Sequence, residues 1–518
     1  MYRVEYHNRN EFIFVDMMDH SIYQLETRKR NFLHNDIVDE KGDIVYPSDY
    51  REKDYKMTGV LQLNCNTFHG KYKNKFLYTC IPNDNHLPVF YIPYKQKYNF
   101  SKSFENLYVV FELKEFHEKP IGQLTEVIGS VNNMNHYFIY ELKSRKLWFP
   151  QNKFIMPEEQ LTSFNEFCSS KIVQDRTFSH TVFTIDPEQC RDFDDAISIC
   201  SNVISVYISN VPLILDCLRY YGKLTKQAAT IYLPNMIRNM LPSFFSEGIC
   251  SLVADHTKKA VFYMDIFPDE TIQFGTCWVK IHKNYVYEEK SLLENPDYQK
   301  LFKYAMLKSA NPIINSHDVV QFFMIFMNHE CAFTLRNGIY RSTQLNTRHF
   351  CLHDYFGEYV LQKSSHDALQ LDCYGHFTSP IRRIVDIVNL ILLQSQLHLC
   401  SFEKEAMEFC KLWKDNIDHI NNCTRSIRKL EQNAFWLHEL ETLKAMGISY
   451  LADQKVDILE KERINCSLWK YTVFLKERKR VMTLKTPLNY YKIGDSLTCY
   501  LYYFQNEDNL KKKVRLQI

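Results

Sequence analysis

The chain has 518 residues, with 63 Lys and Arg against 61 Asp and Glu, a net charge of +2 and only 13 Gly. That length predicts three or four domains and a large core; the scarcity of glycine excludes collagen-like and Gly-rich linker architectures, and 45% hydrophobic with 14% aromatic residues excludes wholesale disorder. No apolar run approaches the ~20 residues of a membrane helix, MYRVEYHNRN lacks the apolar stretch of a signal peptide, and 16 cysteines without a CxxC pair fit a reducing cytoplasmic or nuclear setting and offer no structural zinc spacing.

Residues 1–50 mix charged and aromatic residues with no clear period and carry no assignment. Over 51–131 short β-like runs follow one another: TGVLQLN, KFLYTCI, PVFYIPY, LYVVFEL and LTEVIGSV. Short strands at close spacing predict a small all-β barrel, and KYKNKF and YKQKYNF interleave basic with aromatic residues as single-strand stacking surfaces do. Residues 132–180 read as a thin connector. From 181 to 451 the pattern predicts one large α/β unit, with strands at TVFTI, DAISI and ISVYISNV and helices at 213–230, 318–335, 380–394 and 404–445. Residues 452–518 return to short β runs (VDILE, YTVFL, SLTCYLYYF, KVRLQI) and predict a second barrel. Charge follows the same division. Residues 51–104 carry nine Lys/Arg and three Asp/Glu, residues 452–518 fourteen and eight, so each is +6 and the remainder −10. Basic ends around an acidic middle suit an electrostatic funnel toward a metal-bearing site.

Two local features concentrate chemistry. In TIDPEQCRDFDDA, Asp186, Asp192, Asp194 and Asp195 fall within ten residues between two apolar runs. A strand–loop–strand would gather them. Crowded carboxylates raise one another's pKa unless a cation neutralises them, and Mg²⁺ takes oxygen ligands of this kind. In YGHFTSPIRR, Ser379 and Pro380 predict an N-cap and first-turn proline, placing Arg382 and Arg383 in the first turn of an amphipathic helix with free N–H groups, a ready phosphate site. His376 has no local partner that would make it a general base. An acidic surface loop and surface helix arginines are the bland alternatives for either feature taken alone.

Together the two segments resemble the signatures of the RNB catalytic domain of RNase II and RNase R, shared with the eukaryotic exosome nuclease and its cytoplasmic relatives. ATIYLPNMIRNMLPSFFSEGICSL, between them, is similar to further landmarks of that family in order, and NCTRSIRKLEQNAFWLHEL to its long helix with a site-facing glutamate. KPIGQLTEVIGSV looks like the end of a cold-shock-type barrel, and 452–518 like the family's C-terminal OB barrel. The resemblance implies an α+β multidomain protein: a central mixed α/β RNB domain (181–451) flanked by a cold-shock-like OB barrel (51–131) and an OB-type RNA-binding barrel (452–518).

It further implies processive, hydrolytic 3′→5′ degradation of single-stranded RNA to nucleoside 5′-monophosphates with Mg²⁺, Mn²⁺ being the substitute ion. Asp186, Asp192, Asp194 and Asp195 would hold the metal, and Asp194, Asp195 and Arg382 would be catalytic. Tyr232, Arg382, Arg383, Glu431 and His376 would contact RNA. Three departures stand out. Asn210, in Tyr207-Ile208-Ser209-Asn210-Val211, replaces a usual carboxylate; Ile384 replaces a common tyrosine; and 132–180 is too short for a second cold-shock barrel. No PIN nuclease domain is evident, which leaves membership of an RNA-decay complex such as the exosome open. The alternatives are a catalytically silent RNB-fold RNA-binding regulator and a nuclease of single-stranded DNA.

Overall fold

Strand-period alternation of buried and less buried side chains shapes strands such as Tyr2–Asn8 and Leu468–Leu475, whereas Val203–Ser209 and Lys258–Ile266 are buried on both faces. A computed structural model of the chain describes every residue except 26, 28, 65–66, 96–103, 152, 157–169, 173, 346–354, 447–449, 466, 477–479 and 507–510. The last five residues of YKQKYNF, expected as a stacking surface, therefore lie outside the described residues. The chain divides into two compact units. One comprises Met1–Trp148, Leu233–Asn235 and Leu430–Ile518, and the other Phe149–Tyr232 and Met236–Lys429.

In the first unit, residues 1–50, which the sequence left unassigned, form an antiparallel five-stranded sheet. Tyr2, Val4 and Tyr6 of strand Tyr2–Asn8 alternate into a core with Phe14, Phe32 and Val38. Three of the five strands are only two or three residues long, too short to show a period. A barrel follows, running from Met57–Leu61 to Pro120–Ser130; pairing of Met57–Leu61 with both Lys75–Pro82 and Leu107–Phe116 closes it. Gly59 faces carbonyl oxygen and thiol so closely that a Cβ would meet Ile81 O at 2.7 Å.

Within the expected thin connector stands an eleven-residue helix, Met134–Ser144, capped by the Asn133 side chain. Tyr140 stacks on Tyr108 of the barrel at 4.4 Å, and the Tyr137 hydroxyl donates to Lys512 O at 3.1 Å. The helix thus ties the first barrel to the C-terminal one. The latter is a closed barrel of strands Tyr450–Asn465, Leu468–Leu475, Arg480–Thr486, Ser496–Asn506 and Lys511–Gln517. Its core recruits Trp436 and Leu440 from the end of helix Ile417–Ala445.

The second unit is built on strands Val182–Asp186, Asp195–Cys200, Val203–Ser209, Lys258–Ile266 and Ile272–Val286, with Gln174–Asp175 added at the edge. One face packs on helices Pro296–Lys308, Ser316–Thr334 and Ile384–Gln396. Arg176, next to the edge strand, is buried and donates to both oxygens of buried Asp265, at 2.8 and 2.6 Å. The mixed α/β centre with small barrels is the architecture expected from the sequence.

Two helix expectations are corrected. The helix over 213–230 is confined to Val211–Cys217, because Arg219 turns to φ +47° and the chain then leads into strand Ile231–Leu233. The helix expected from Ser379 begins only at Ile384, with Arg383 as its N-cap. Residues 382–384 are first engaged by a neighbouring segment: Thr230 N–H donates to Arg382 O (3.0 Å), and Ile384 N–H to Ala228 O (3.0 Å).

Candidate active site

The acidic loop hangs between strands Val182–Asp186 and Asp195–Cys200. Gln189 takes a left-handed turn (φ +68°), and Ser251 fastens the loop from outside. Its hydroxyl donates to Arg191 O at 2.7 Å and accepts from Phe193 N–H at 3.1 Å, while Leu252 N–H donates to Phe193 O at 3.0 Å. Asp194 O accepts from Ser209 N–H at 2.9 Å. Arg191 O, both backbone groups of Phe193 and Asp194 O are therefore already satisfied in the stretch that carries Asp192 and Asp194.

Asp194 is 4% exposed. One carboxylate oxygen accepts from Ile381 N–H at 2.8 Å, across 187 residues of sequence, and the other from Arg382 Nε at 3.2 Å. The N–H expected to be free for phosphate is thus used by Asp194. Arg382 also donates to Ser379 Oγ (2.8 Å), yet its side chain remains 44% exposed, so part of the guanidinium faces solvent. Tyr232 lies on strand Ile231–Leu233, and its hydroxyl donates to Asp192 Oδ2 at 2.7 Å. Asp194 with Arg382 and Asp192 with Tyr232 thus make two direct pairs, by which the acidic loop meets two other segments of the chain.

Burial pushes Asp186 up to about 6 and Asp194 up to about 7, against the opposing pull of Arg382. It raises Asp195 well above the usual carboxylate range, and Asp186 and Asp194 add to the effect. Asp186 Oδ2 is buried without a hydrogen-bond partner. Cys190 Sγ lies 3.9 Å from Asp186 Oδ1 and 3.7 Å from Asp192 Oδ1. Oxygen donors with raised pKa values and an orphaned buried carboxylate oxygen fit a hard divalent cation. Asp186, through its unpartnered Oδ2, is the open donor, since both oxygens of Asp194 and of Asp192 already have contacts. Among the described residues, the trio of His, Cys and acidic side chains with ligand atoms all within 4.8 Å of one another is His329, Asp372 and Cys373; the loop aspartates are not drawn that tightly together.

The other expected site residues fall as follows. Arg383 donates to buried Asp386 at 2.9 Å. His376 Nδ1 pairs with the Tyr359 hydroxyl at 2.8 Å, and its pKa is driven well below the usual value by burial and then by Arg383, Arg341 and Arg382; among the described residues no carboxylate pairs with it to make it a base. Glu431 is half-buried on helix Ile417–Ala445, in the unit that holds the barrels. Asn210, at the position of the missing carboxylate, caps helix Val211–Cys217 and exchanges hydrogen bonds with Gln394 at 2.9 and 3.2 Å, both residues fully buried. Sequence reading missed Asp386, Ser251 and the role of Ser379 Oγ. Asp386 had a signal, its i,i+3 spacing from Arg383; the two serines had none beyond their neighbours.

A family model, the RNB domain, matches residues 175–311 and 290–399. The chain is 25% identical over 339 residues to a ribonuclease R of Buchnera aphidicola, covering 58% of this chain and 45% of that protein. It is 30% identical over 134 residues to a ribonuclease R of Helicobacter pylori, 24% of this chain and 20% of the other. It thus spans between a fifth and a half of these relatives' length. In structure it is similar to Mycoplasma genitalium RNase R in complex with ribose-methylated single-stranded RNA, at TM-score 0.65 and 15% identity with both chains fully covered. Yeast Ssd1, a pseudonuclease, aligns at TM-score 0.58 and 14% identity over 86% of this chain and 66% of the other. At such identities the likeness is one of fold. Among the described residues no helix is long and apolar enough to cross a membrane.

Proposed function

Since the chain belongs to the RNB-domain family of RNase II and RNase R, we propose that it is a 3′→5′ exoribonuclease that degrades single-stranded RNA processively to nucleoside 5′-monophosphates. The carrying observation is the contact of Asp194 with both Ile381 N–H and Arg382, which joins the acidic loop to the arginine-bearing turn as one site.

Asp186, Asp192, Asp194 and Asp195 would hold Mg²⁺, with Mn²⁺ as substitute; a divalent ion bound there would supply water activation and stabilisation of the leaving oxygen of a phosphodiester. The half-exposed Arg382 guanidinium meets the negative charge that grows on the scissile phosphate. Asp194 sets its direction by holding Nε, leaving the outward donors for phosphate oxygens. Tyr232, fixed through Asp192, presents its ring beside that phosphate as a stop for the terminal nucleotide. His376, held neutral, does not serve as the base.

A silent RNA-binding reading has its own support: Arg382 is paired with Asp194, and the loop aspartates are not tightly gathered. A time course on 5′-labelled single-stranded RNA and matched DNA with Mg²⁺ separates the readings. Shortening from the 3′ end on RNA alone, absent in Asp194→Asn, is the expected result. RNA binding without shortening would favour the silent regulator, and equal cleavage of DNA would remove the RNA preference.

A further inference from the structure

Beside the acidic site, the same unit buries an arginine with which no described carboxylate forms an ion pair. Arg341, on strand Tyr340–Leu345, is only 9% exposed, and no described carboxylate or carbonyl accepts a hydrogen bond from its guanidinium. Its Cζ lies 4.9 Å from the ring centre of Tyr359, its partner in register on strand Tyr355–Val360. Gly357 makes the room, since a Cβ there would come within 2.5 Å of Arg341 Nη2.

Two further arginines, Arg383 and Arg428, stand near enough for their charges to act on Tyr359, as does the Asp386 carboxylate. Arg383 donates to Asp386, but its Nε is buried without a partner. Arg428 stands exposed on helix Ile417–Ala445, two turns beyond Asn421. Asn421 clasps the Tyr359 backbone, accepting from its N–H at 2.7 Å and donating to its carbonyl at 2.9 Å. Burial lowers the Arg341 pKa; Tyr359 and Glu358 oppose this, while Arg428 and Arg383 add to it. Nearby His376 contributes no anion, and its Nδ1 is occupied by the Tyr359 hydroxyl. A buried cation without a counterion is strongly unfavourable, and like charges nearby make it more so. Guanidinium forks are matched to phosphate oxygens in geometry and charge.

We propose that Arg341, Arg383 and Arg428 form a receiving site for a backbone phosphodiester of the RNA, separate from the scissile phosphate that Arg382 serves. This rests on the RNA-directed reading above and specifies where a second phosphate of the same strand is held. The Tyr359 ring forms the wall beside the Arg341 guanidinium, whose donors remain for the anion.

The test is equilibrium binding of full-length protein, in EDTA to prevent cleavage, to a set of single-stranded oligoribonucleotides. Each carries one uncharged methylphosphonate linkage at a successive position. One linkage away from the 3′-terminal phosphodiester should weaken wild-type binding roughly tenfold, as loss of a charged hydrogen-bonded contact does, and should have no added effect in Arg341→Gln. Arg428→Gln, at an exposed helical position, should show the same suppression and covers the case in which Arg341→Gln does not fold. Linkage effects of equal size in wild type and both variants would overturn the site. If orthophosphate raises the melting temperature of wild type but not of the variants, with no linkage effect, the pocket takes free phosphate and the RNA-backbone assignment fails. Linkage dependence without any hydrolysis in Mg²⁺ would overturn the nuclease reading alone, whereas cleavage without linkage dependence would overturn this site alone.

Discussion

Asp194 accepts two hydrogen bonds while 4% exposed, so its substitution separates chemistry from folding. Asn keeps one acceptor for Ile381 N–H but not the charge that holds Arg382. Asp194→Asn should lower hydrolysis by at least ~10²-fold, the scale of losing an electrostatic stabiliser, with RNA affinity nearly unchanged; single-turnover rates and anisotropy binding on the same preparation check this. The acidic loop also predicts a pH effect. Asp186 titrates at about 6 and Asp194 at about 7 in the folded chain, against ~3.9 unfolded. The native state therefore binds more protons, so these groups contribute stability fully present below pH ~3.9 and lost as pH rises through 6 and 7. The melting temperature of metal-free protein should fall over that window, and Asp186→Asn or added Mg²⁺ should flatten the fall. A melting temperature of the metal-free protein that stays flat or rises between pH 4 and 7, once other titrations are subtracted with the variant, would refute this electrostatic account.

Among elements, helix Ile417–Ala445 has two duties. Near its start Asn421 pins strand Tyr355–Val360, and near its end Trp436 and Leu440 fill the C-terminal barrel. Trp436, 2% exposed, is the element's anchor there. Trp436→Ala should cost ~3–5 kcal/mol through lost burial and the remaining cavity, and should appear as early loss of hydrogen-exchange protection in strands Leu468–Leu475 and Ser496–Asn506. The buried Asn210–Gln394 pair is a second case at this scale. Periodicity placed Val203–Ser209 as a strand correctly, yet no window around Asn210 reveals its partner 184 residues away. Helix starts show the same limit. Ser379-Pro380 is a sound N-cap signal by itself, but Ile381 N–H is taken by Asp194 and residues 382–384 pair with 228–230, so the helix waits until Ile384.

At the scale of the molecule, the two +6 stretches, 51–104 and 452–518, both belong to the unit of small barrels, and the acidic loop to the other. Binding to single-stranded RNA should therefore weaken steeply with salt. Neutralising exposed Lys485, which stands opposite Lys470 in register, should reduce the slope of log K against log salt by ~0.7 if it meets a phosphate; a salt titration of the variant decides it. Stripping divalent ions should stop cleavage while leaving the sheets and barrels folded, because the cores are made of apolar side chains on both units; circular dichroism with and without EDTA checks this.

What the sequence by itself determined is the chemistry available and most of its local setting. Four aspartates between two β runs, an arginine pair before an amphipathic helix, and short strands at either end are all properties of a window of ten to twenty residues. Periodic burial and turn chemistry act at that range. Only the tertiary structure decided which groups are spent on one another and which remain. It joined Asp194 to Ile381 N–H and Arg382, hid Arg341 against Tyr359 with no acceptor among the described residues, closed Asn210 onto Gln394, and made a sheet of residues 1–50 in which three of five strands are too short to show a period. Those outcomes depend on contacts between segments far apart in the chain, where hydrogen-bond satisfaction and desolvation are settled jointly.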